Sequence, residues 1–274
     1  MNKTVLITGA TGAIGKATAL ELAKNNCNLI LFGRNAEKLN KVKSEISNST
    51  GNNDIYAIVG DLSEPKSIKQ VVTEIKQRYS SLNALINVAA IFKSKRLENS
   101  QGTEYMLSTN HLGPFALTND LLDLLKAGKP ARIITVSAPS TTKVNFDDIN
   151  GAKKFSPGFM GVFGATKMMN IMFTYALARR LEGTGVTANV FHPGLVKSNL
   201  TKEMPAILNF VLKNISSEPD NAAKMLCTLA IDSKFEISNG TFYKFDGTQI
   251  KSNKYSYDKD LQEKLWTISE KLSE

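Results

Sequence analysis

Lys3-Thr4-Val5-Leu6-Ile7-Thr8-Gly9-Ala10-Thr11-Gly12-Ala13-Ile14-Gly15 is a β-branched apolar run that breaks into three spaced glycines, and an apolar helical pattern follows from Lys16 to Asn25. Strand, glycine turn and helix in that order form a dinucleotide-binding unit. The glycines let backbone approach a pyrophosphate, whose charge is met by unpaired N–H groups at the helix N-terminus. A glycine triplet alone is weak evidence. Here a second strand, Asn28 to Phe32, follows the helix, which is the context the motif requires. Gly9, Thr11, Gly12, Ala13, Ile14 and Gly15 are therefore candidate cofactor-binding residues.

The second strand ends in Gly33-Arg34-Asn35, where a carboxylate would accept the ribose hydroxyls of NAD. An arginine pairs instead with a 2′-phosphate, so NADP(H) is expected in preference to NAD(H). The plainer reading of Arg34 is a solvated side chain at a strand end.

The alternation continues through helix Glu37 to Ser47, strand Ile55 to Val59, helix Pro65 to Tyr79, strand Ala84 to Asn87, helix Thr103 to Leu125, strand Arg132 to Ser137, helix Gly161 to Leu181 and strand Thr187 to Phe191. Each strand is a short apolar run, as a sheet covered on both faces requires. The pattern predicts one α/β domain over residues 1–274, a doubly wound Rossmann-type parallel sheet with helices on both faces. Ligands lie beyond strand C-termini in such sheets, which adds Asn35, Asp61, Leu62, Asn87, Ala89, Pro193, Gly194, Val196 and Ser198 to the candidate cofactor residues.

Two stretches break the rhythm. Residues 138–160 form a long connection after a strand end, and 198–219 insert a mostly apolar helix carrying Met204, Ile207, Leu208, Phe210, Val211 and Leu212. Both are expected to border a substrate pocket, the second as a lid; a peripheral membrane patch or a dimer contact are the alternatives for it.

With 42% hydrophobic and 22% charged residues, the composition is that of a soluble globular protein, and no run reaches the roughly 18 apolar residues of a membrane span. The apolar strand pattern begins at once after Met1, with no signal-peptide pattern before it, so a cytoplasmic location is expected. The formal charge of +9 is spread over amphipathic helices rather than gathered with aromatics, which argues against nucleic acid and suits a phosphate-rich cofactor. Cys27 and Cys227 show no metal-ligand or CxxC spacing and read as reduced structural thiols. No metal site is expected.

Within 161–181, Phe163, Met168, Ile171, Met172, Tyr175, Leu177, Ala178 and Leu181 recur at helical spacing, and Lys167 sits near that apolar face. A lysine there is either a snorkelling surface residue or a positioned cation.

The glycine turn, Asn87-Val88-Ala89-Ala90, Asn110-His111-Leu112-Gly113, Phe163 to Lys167 and Pro193-Gly194 occur in an order that resembles the short-chain dehydrogenase/reductase family, and more closely its retinol-dehydrogenase-like branch, which includes WW-domain oxidoreductases. Phe32-Gly33-Arg34-Asn35 and Ala178-Arg179-Arg180-Leu181-Glu182-Gly183 carry the closer likeness. The resemblance implies about seven parallel strands, NADP binding, and hydride transfer to or from a small, apolar carbonyl or alcohol. It further implies a tetrad of asparagine, serine, tyrosine and a lysine four positions on. Tyrosine moves the proton, lysine lowers its pKa and holds the nicotinamide ribose, serine polarises the carbonyl, and asparagine fixes a water.

Matched residue by residue, Asn110 and Lys167 stand at the asparagine and lysine positions. Ala138 and Phe163 stand where the serine and tyrosine belong. Ser140 is the best-placed substitute hydroxyl, whereas Ser137 and Thr166 should point away from the pocket. His111 and His192 read as structural. Three functions follow: a reductase acting on a C=C or iminium group that needs no strong protein acid, an NADP(H)-binding regulatory protein without turnover, or a non-redox enzyme reusing the pocket. The family pairs subunits through the helices after the fourth and fifth strands, but the sequence does not choose between monomer and oligomer.

Overall fold

Along each strand the side chains alternate between two cores, which is how a parallel sheet covered on both faces must be built. In the computed structural model, which describes residues 2–197, 200, 203 and 216–274, Val5 and Ile7 of β1 (Thr4–Thr8) join one core and Leu6 joins the other. Leu29 and Leu31 of β2 (Asn28–Gly33) part from Ile30 and Phe32 in the same way. With β3 (Ile55–Val59), β4 (Ala84–Asn87), β5 (Ala131–Val136), β6 (Val186–His192) and β7 (Phe242–Lys244), the order is β3-β2-β1-β4-β5-β6-β7, every pair parallel.

The first face is covered by α1 (Ala13–Lys24), α2 (Ala36–Thr50) and α8 (Asp220–Ile231), which bring Leu22, Leu39 and Leu226 to the core. The second is covered by α3 (Pro65–Arg78), α5 (Gly113–Asp120) and α7 (Val162–Arg180), with Ile75, Phe115 and Phe173. An outer helix, α9 (Lys259–Ser273), lies on α7 and α5; its Trp266 packs edge-on to Phe115 at 5.0 Å and carries the Arg180 guanidinium 3.8 Å above its ring.

Most boundaries fall within two or three residues of expectation. The clear correction is the helix expected over 103–125, which is broken into α4 (Tyr105–Leu107), a π turn (Ser108–Leu112), α5 and α6 (Leu122–Ala127). Pro114 is the cause. It has no N–H to give the carbonyl four residues earlier, that of Asn110, so Gly113 N–H reaches back five residues to Ser108 and the Asn110 carbonyl takes Asn170 Nδ2 at 2.8 Å instead. β7 is only three residues long and lacks the apolar run that reveals the others.

The apolar helix expected within 198–219, with Met204, Ile207, Leu208, Phe210, Val211 and Leu212, lies largely outside the described residues, as does Ser198. The ends of that stretch are tied together: Val196 bridges Ser217, and Ser217 N–H donates to the Leu195 carbonyl at 2.9 Å.

The π turn also brings α5 hard against the loop after β3. A Cβ on Gly113 would stand 2.2 Å from the Leu62 carbonyl oxygen. Gly113→Ala should cost about 1–3 kcal/mol through this overlap, read as a lower denaturant midpoint with an unchanged m-value.

Candidate functional site

The glycine turn is shaped by contacts that side chains would prevent. Gly9 has φ +66°, and a Cβ there would come 2.9 Å from Ala89 Cα; one on Gly15 would stand 2.3 Å from the Gly9 carbonyl oxygen. α1 therefore starts directly above the end of β1. Gly12 at its N-cap provides no side-chain acceptor, and the first turn holds no acid. The N–H groups of that turn are left for an anion.

They open onto a cavity of about 910 Å³. Thr11, Gly12, Ala13 and Ile14 form one wall, Leu62 and Val88 to Lys93 another, and Arg34 stands at the rim. The Arg34 guanidinium is half-exposed, donates from Nη1 to Tyr105 Oη at 2.6 Å, and lies 3.9 Å from the Asp61 carboxylate. A shape wide enough for a dinucleotide, a phosphate cradle without side chains and a cation at the strand end fit a nicotinamide dinucleotide.

Several other expected residues lie behind this cavity and do not line it. Asn35 caps α2 through the Lys38 N–H, Asp61 accepts from the Ser63 N–H and hydroxyl, and Asn87 donates to Thr118 Oγ1 at 3.0 Å. Pro193 follows β6; Gly194 packs on Phe245, and Val196 pairs with Ser217. Sequence reasoning missed Phe92, Lys93, Thr109, Lys197, Leu200 and Glu203 as cavity residues. Phe92 and Lys93 follow β4 and could have been found from that position alone; Glu203, which pairs with Lys93, had no such signal.

Lys167 borders a second cavity of about 430 Å³, shared with Ala138, Ser140, Phe159 and Met160. Lys167 is 7% exposed, and its ammonium, with no hydrogen bond or ion pair to a described residue, lies 5.3 Å from the centre of the Phe163 ring. Burial lowers its pKa to about 8. It is thus a positioned cation and not a snorkelling one.

Phe163 is 2% exposed and meets Phe92 edge-on at 5.7 Å and Phe159 at 5.3 Å. Since Phe92 lines the larger cavity and Phe159 the smaller, the ring is part of the wall between them.

Asn110 sits in the π turn, fully buried. Its side chain accepts from Ile91 N–H at 2.8 Å and donates to Ile91 O at 3.0 Å, clamping the loop after β4 that edges the larger cavity. Ser140 lines the smaller cavity, but its hydroxyl donates to the Gly164 carbonyl at 2.8 Å, so its proton is committed elsewhere. Ser137 donates to the Lys167 carbonyl and Thr166 to the Phe163 carbonyl, both turned away as expected.

His111 is fully buried between Asn170 (3.1 Å) and Ser269 (2.8 Å), and burial lowers its pKa to about 4. Asn170 Nδ2 already donates to Asn110, so its Oδ1 faces the ring and requires the proton on His111 Nδ1. The result is a buried line from α9 to the π turn: Ser269, His111, Asn170, Asn110. His192 is half-buried with its pKa lowered by burial. Neither histidine borders either cavity.

Residues 3–207 match the family model for short chain dehydrogenases. The chain belongs to that family. Among its relatives, human retinol dehydrogenase 14 is 32% identical over 289 residues, spanning 98% of this chain and 85% of that protein. Retinol dehydrogenase 13 of Mus musculus is 34% identical over 282 residues, spanning 98% and 83%. An uncharacterised protein from Mycobacterium paratuberculosis superposes with a TM-score of 0.79 at 25% identity, over 99% of this chain and 93% of that one. The NADP active-site complex of Pseudomonas aeruginosa RhlG shares the fold at a TM-score of 0.72 and 22% identity, over 89% and 95%. Members of the family are oxidoreductases that bind nicotinamide cofactors and act on small molecules. No helix among the described residues is long and apolar enough to cross a membrane.

Because the fold holds the Lys167 pKa near 8, below its ordinary 10.5, the folded state releases this proton before the unfolded chain does. Between pH 8 and 10.5 the unfolded chain binds the extra proton, so the Lys167 contribution to stability rises with pH across that window. Lys167→Met should be more stable than the wild type at pH 7, with the difference shrinking toward pH 10.5 in parallel urea titrations.

Proposed function

We propose that the chain is an NADP(H)-dependent oxidoreductase whose site has lost the hydroxyls at positions 138 and 163, and that it reduces a C=C or iminium group in a small, largely apolar molecule. The observation that carries this reading is the Lys167 ammonium, buried without an anionic partner over a ring that has no phenol. When bound, NADPH supplies the hydride.

In this reading the N–H groups of α1 and the backbone of Gly12 to Gly15 hold the pyrophosphate, Arg34 exchanges Tyr105 and Asp61 for a 2′-phosphate, and Lys167 holds the nicotinamide ribose. Ala89, Pro193, Gly194, Val196 and Ser198 are the remaining proposed cofactor positions, with Asn35, Asp61, Leu62 and Asn87 supporting the strand ends that form the cradle. Residues 198–219 would cover the substrate.

A ketone requires a proton as its alkoxide forms, and losing a positioned acid typically costs about 10²- to 10⁴-fold. Neither Phe163 nor Ala138 can give one, and the Ser140 proton is held by a carbonyl. A conjugated alkene or an iminium takes hydride without a strong acid at the same oxygen, and so suits the site better. Lys167, near pKa 8, is the side chain able to hold or release a proton there at neutral pH.

The second reading is an NADP(H)-binding regulatory protein without turnover, or a non-redox enzyme in the same pocket. Asn110 favours it: its amide is bonded at both ends to Ile91 and its nitrogen also reaches Thr166 Oγ1 at 3.4 Å, the arrangement of a structural clamp.

The first test is cofactor fluorescence. NADPH should bind more tightly than NADH, and Arg34→Ala should weaken NADPH roughly 10- to 100-fold while leaving NADH within a factor of a few. If Arg34→Ala treats both cofactors alike, the 2′-phosphate assignment is wrong.

The second test separates the two readings by NADPH oxidation with ketone, enone and iminium panels. The wild type should turn over enones or iminium ions and leave ketones nearly untouched, whereas the Ala138→Ser, Phe163→Tyr double variant should gain ketone reduction by at least about 10²-fold. NADPH binding without oxidation in any wild-type panel, together with activity in the double variant, would support the regulatory reading instead.

A further inference from the structure

The smaller cavity is electrically lopsided. Two cations line it, Lys167 and Lys251, and no carboxylate does among the described residues around it. Neither lysine forms an ion pair with a described residue, although ten such pairs hold lysines and arginines elsewhere on the chain. Lys167 is buried, where an uncompensated charge is costly. An anionic group that enters this cavity meets cations and no competing carboxylate among the described residues around it.

The segment that carries Lys251 is built and not loose. Next to it, the Ser252 hydroxyl lies 2.9 Å from Tyr175 Oη and 2.6 Å from the Ser256 hydroxyl, and the Ser252 N–H donates to Tyr257 Oη at 3.1 Å. Tyr257 in turn stacks on Tyr175, ring centroids 5.1 Å apart and 14° from parallel. On the other side of the same turn, Asn253 Oδ1 caps the helical turn Lys254–Tyr257 through the Tyr255 N–H. The side chains of this turn bond to α7, to the turn itself and, through Tyr255 Oη, to the Val144 carbonyl, while Lys251 is exposed at the cavity edge with no ion pair to a described residue.

Facing the two cations are apolar groups. Phe159 is 49% exposed and Met160 90% exposed, and both line the cavity. A volume near 430 Å³ falls in the range of small-molecule sites. The site thus brings two apolar side chains and two cations to the border of one cavity.

We infer that the substrate of this site is a carboxylic acid, a compact molecule whose apolar portion lies against Phe159 and Met160 and whose carboxylate meets Lys251. The inference rests on the proposed oxidoreductase reading for its placement beside Lys167, and it narrows the substrate class to α,β-unsaturated or imino acids over neutral apolar compounds. Lys251 is a specificity-determining residue in this scheme and takes no part in proton or hydride movement.

The experiment is calorimetric, on the full chain at pH 7 with and without NADPH, using trans-cinnamate and its uncharged methyl ester as probes. The acid should bind about fivefold or more tightly than the ester, a difference of the size an ion pair at a partly exposed site supplies. Lys251→Met should remove that preference without weakening the ester, Lys251→Arg should keep it, and Lys254→Met, an exposed lysine on the adjoining turn that does not line the cavity, should also keep it. Equal affinities for acid and ester in the wild type, no measurable binding of the acid, or an equal loss in Lys254→Met each overturns the inference. NADPH fluorescence in the same samples keeps the outcomes apart. Cofactor binding without an acid preference sinks the inference alone, whereas an acid preference without cofactor binding sinks the oxidoreductase reading and leaves the carboxylate site standing.

Discussion

A parallel sheet covered on both faces hides most strand side chains, so the strand C-termini are where this chain can meet a ligand. The rest of the site follows from how tightly the next helix is drawn over those ends. At β1, Gly9 and Gly15 allow helix and strand to approach within the space of one missing Cβ. Beyond β4, the clamp of Asn110 on Ile91 fixes the loop that lines the larger cavity. The shape of the cofactor cavity is therefore set by close backbone approaches, and the side chains around it add charge.

Phe163 belongs to a different kind of interaction. Its ring fills space between Phe92 and Phe159 and supplies a π face to an ammonium that has no carboxylate, a contact worth about 0.5–2 kcal/mol and too weak to offset the burial of that charge alone. Lys167 is held in place by packing on a largely buried helix and is destabilised electrostatically by the same packing. That combination is characteristic of groups kept for binding or chemistry.

The sheet was legible because its signal is redundant: six short apolar runs, each followed by a helical pattern and most ending in a turn. The broken helix at 103–125 was not, although Pro114 stood in plain view. A proline usually ends a helix, and here a side chain from α7, Asn170, replaces the missing donor, which no local pattern announces. In the site, the glycine turn and Arg34 border the larger cavity and Lys167 the smaller, positions that spacing along their own strands and helices made legible. Asn35, Asp61 and Asn87 point elsewhere, since a position at a strand end does not say which way the side chain leaves it. Lys251 was invisible: it follows a three-residue strand, and its neighbourhood is created by two tyrosines stacked from far apart in sequence.

The buried line from Ser269 through His111 and Asn170 to Asn110 has a consequence for how the molecule is made. During synthesis α9 leaves the ribosome after all seven strands, so the sheet and both cores can form while His111 Nε2 still lacks its serine and Trp266 has not yet covered Phe115 and Phe173. The π turn that carries Asn110 gains its last buried partner only when α9 docks. Protein caught before that step would have a complete sheet, an exposed aromatic patch and a loosened strand end beside its cofactor cavity, the kind of half-finished species that chaperones retain.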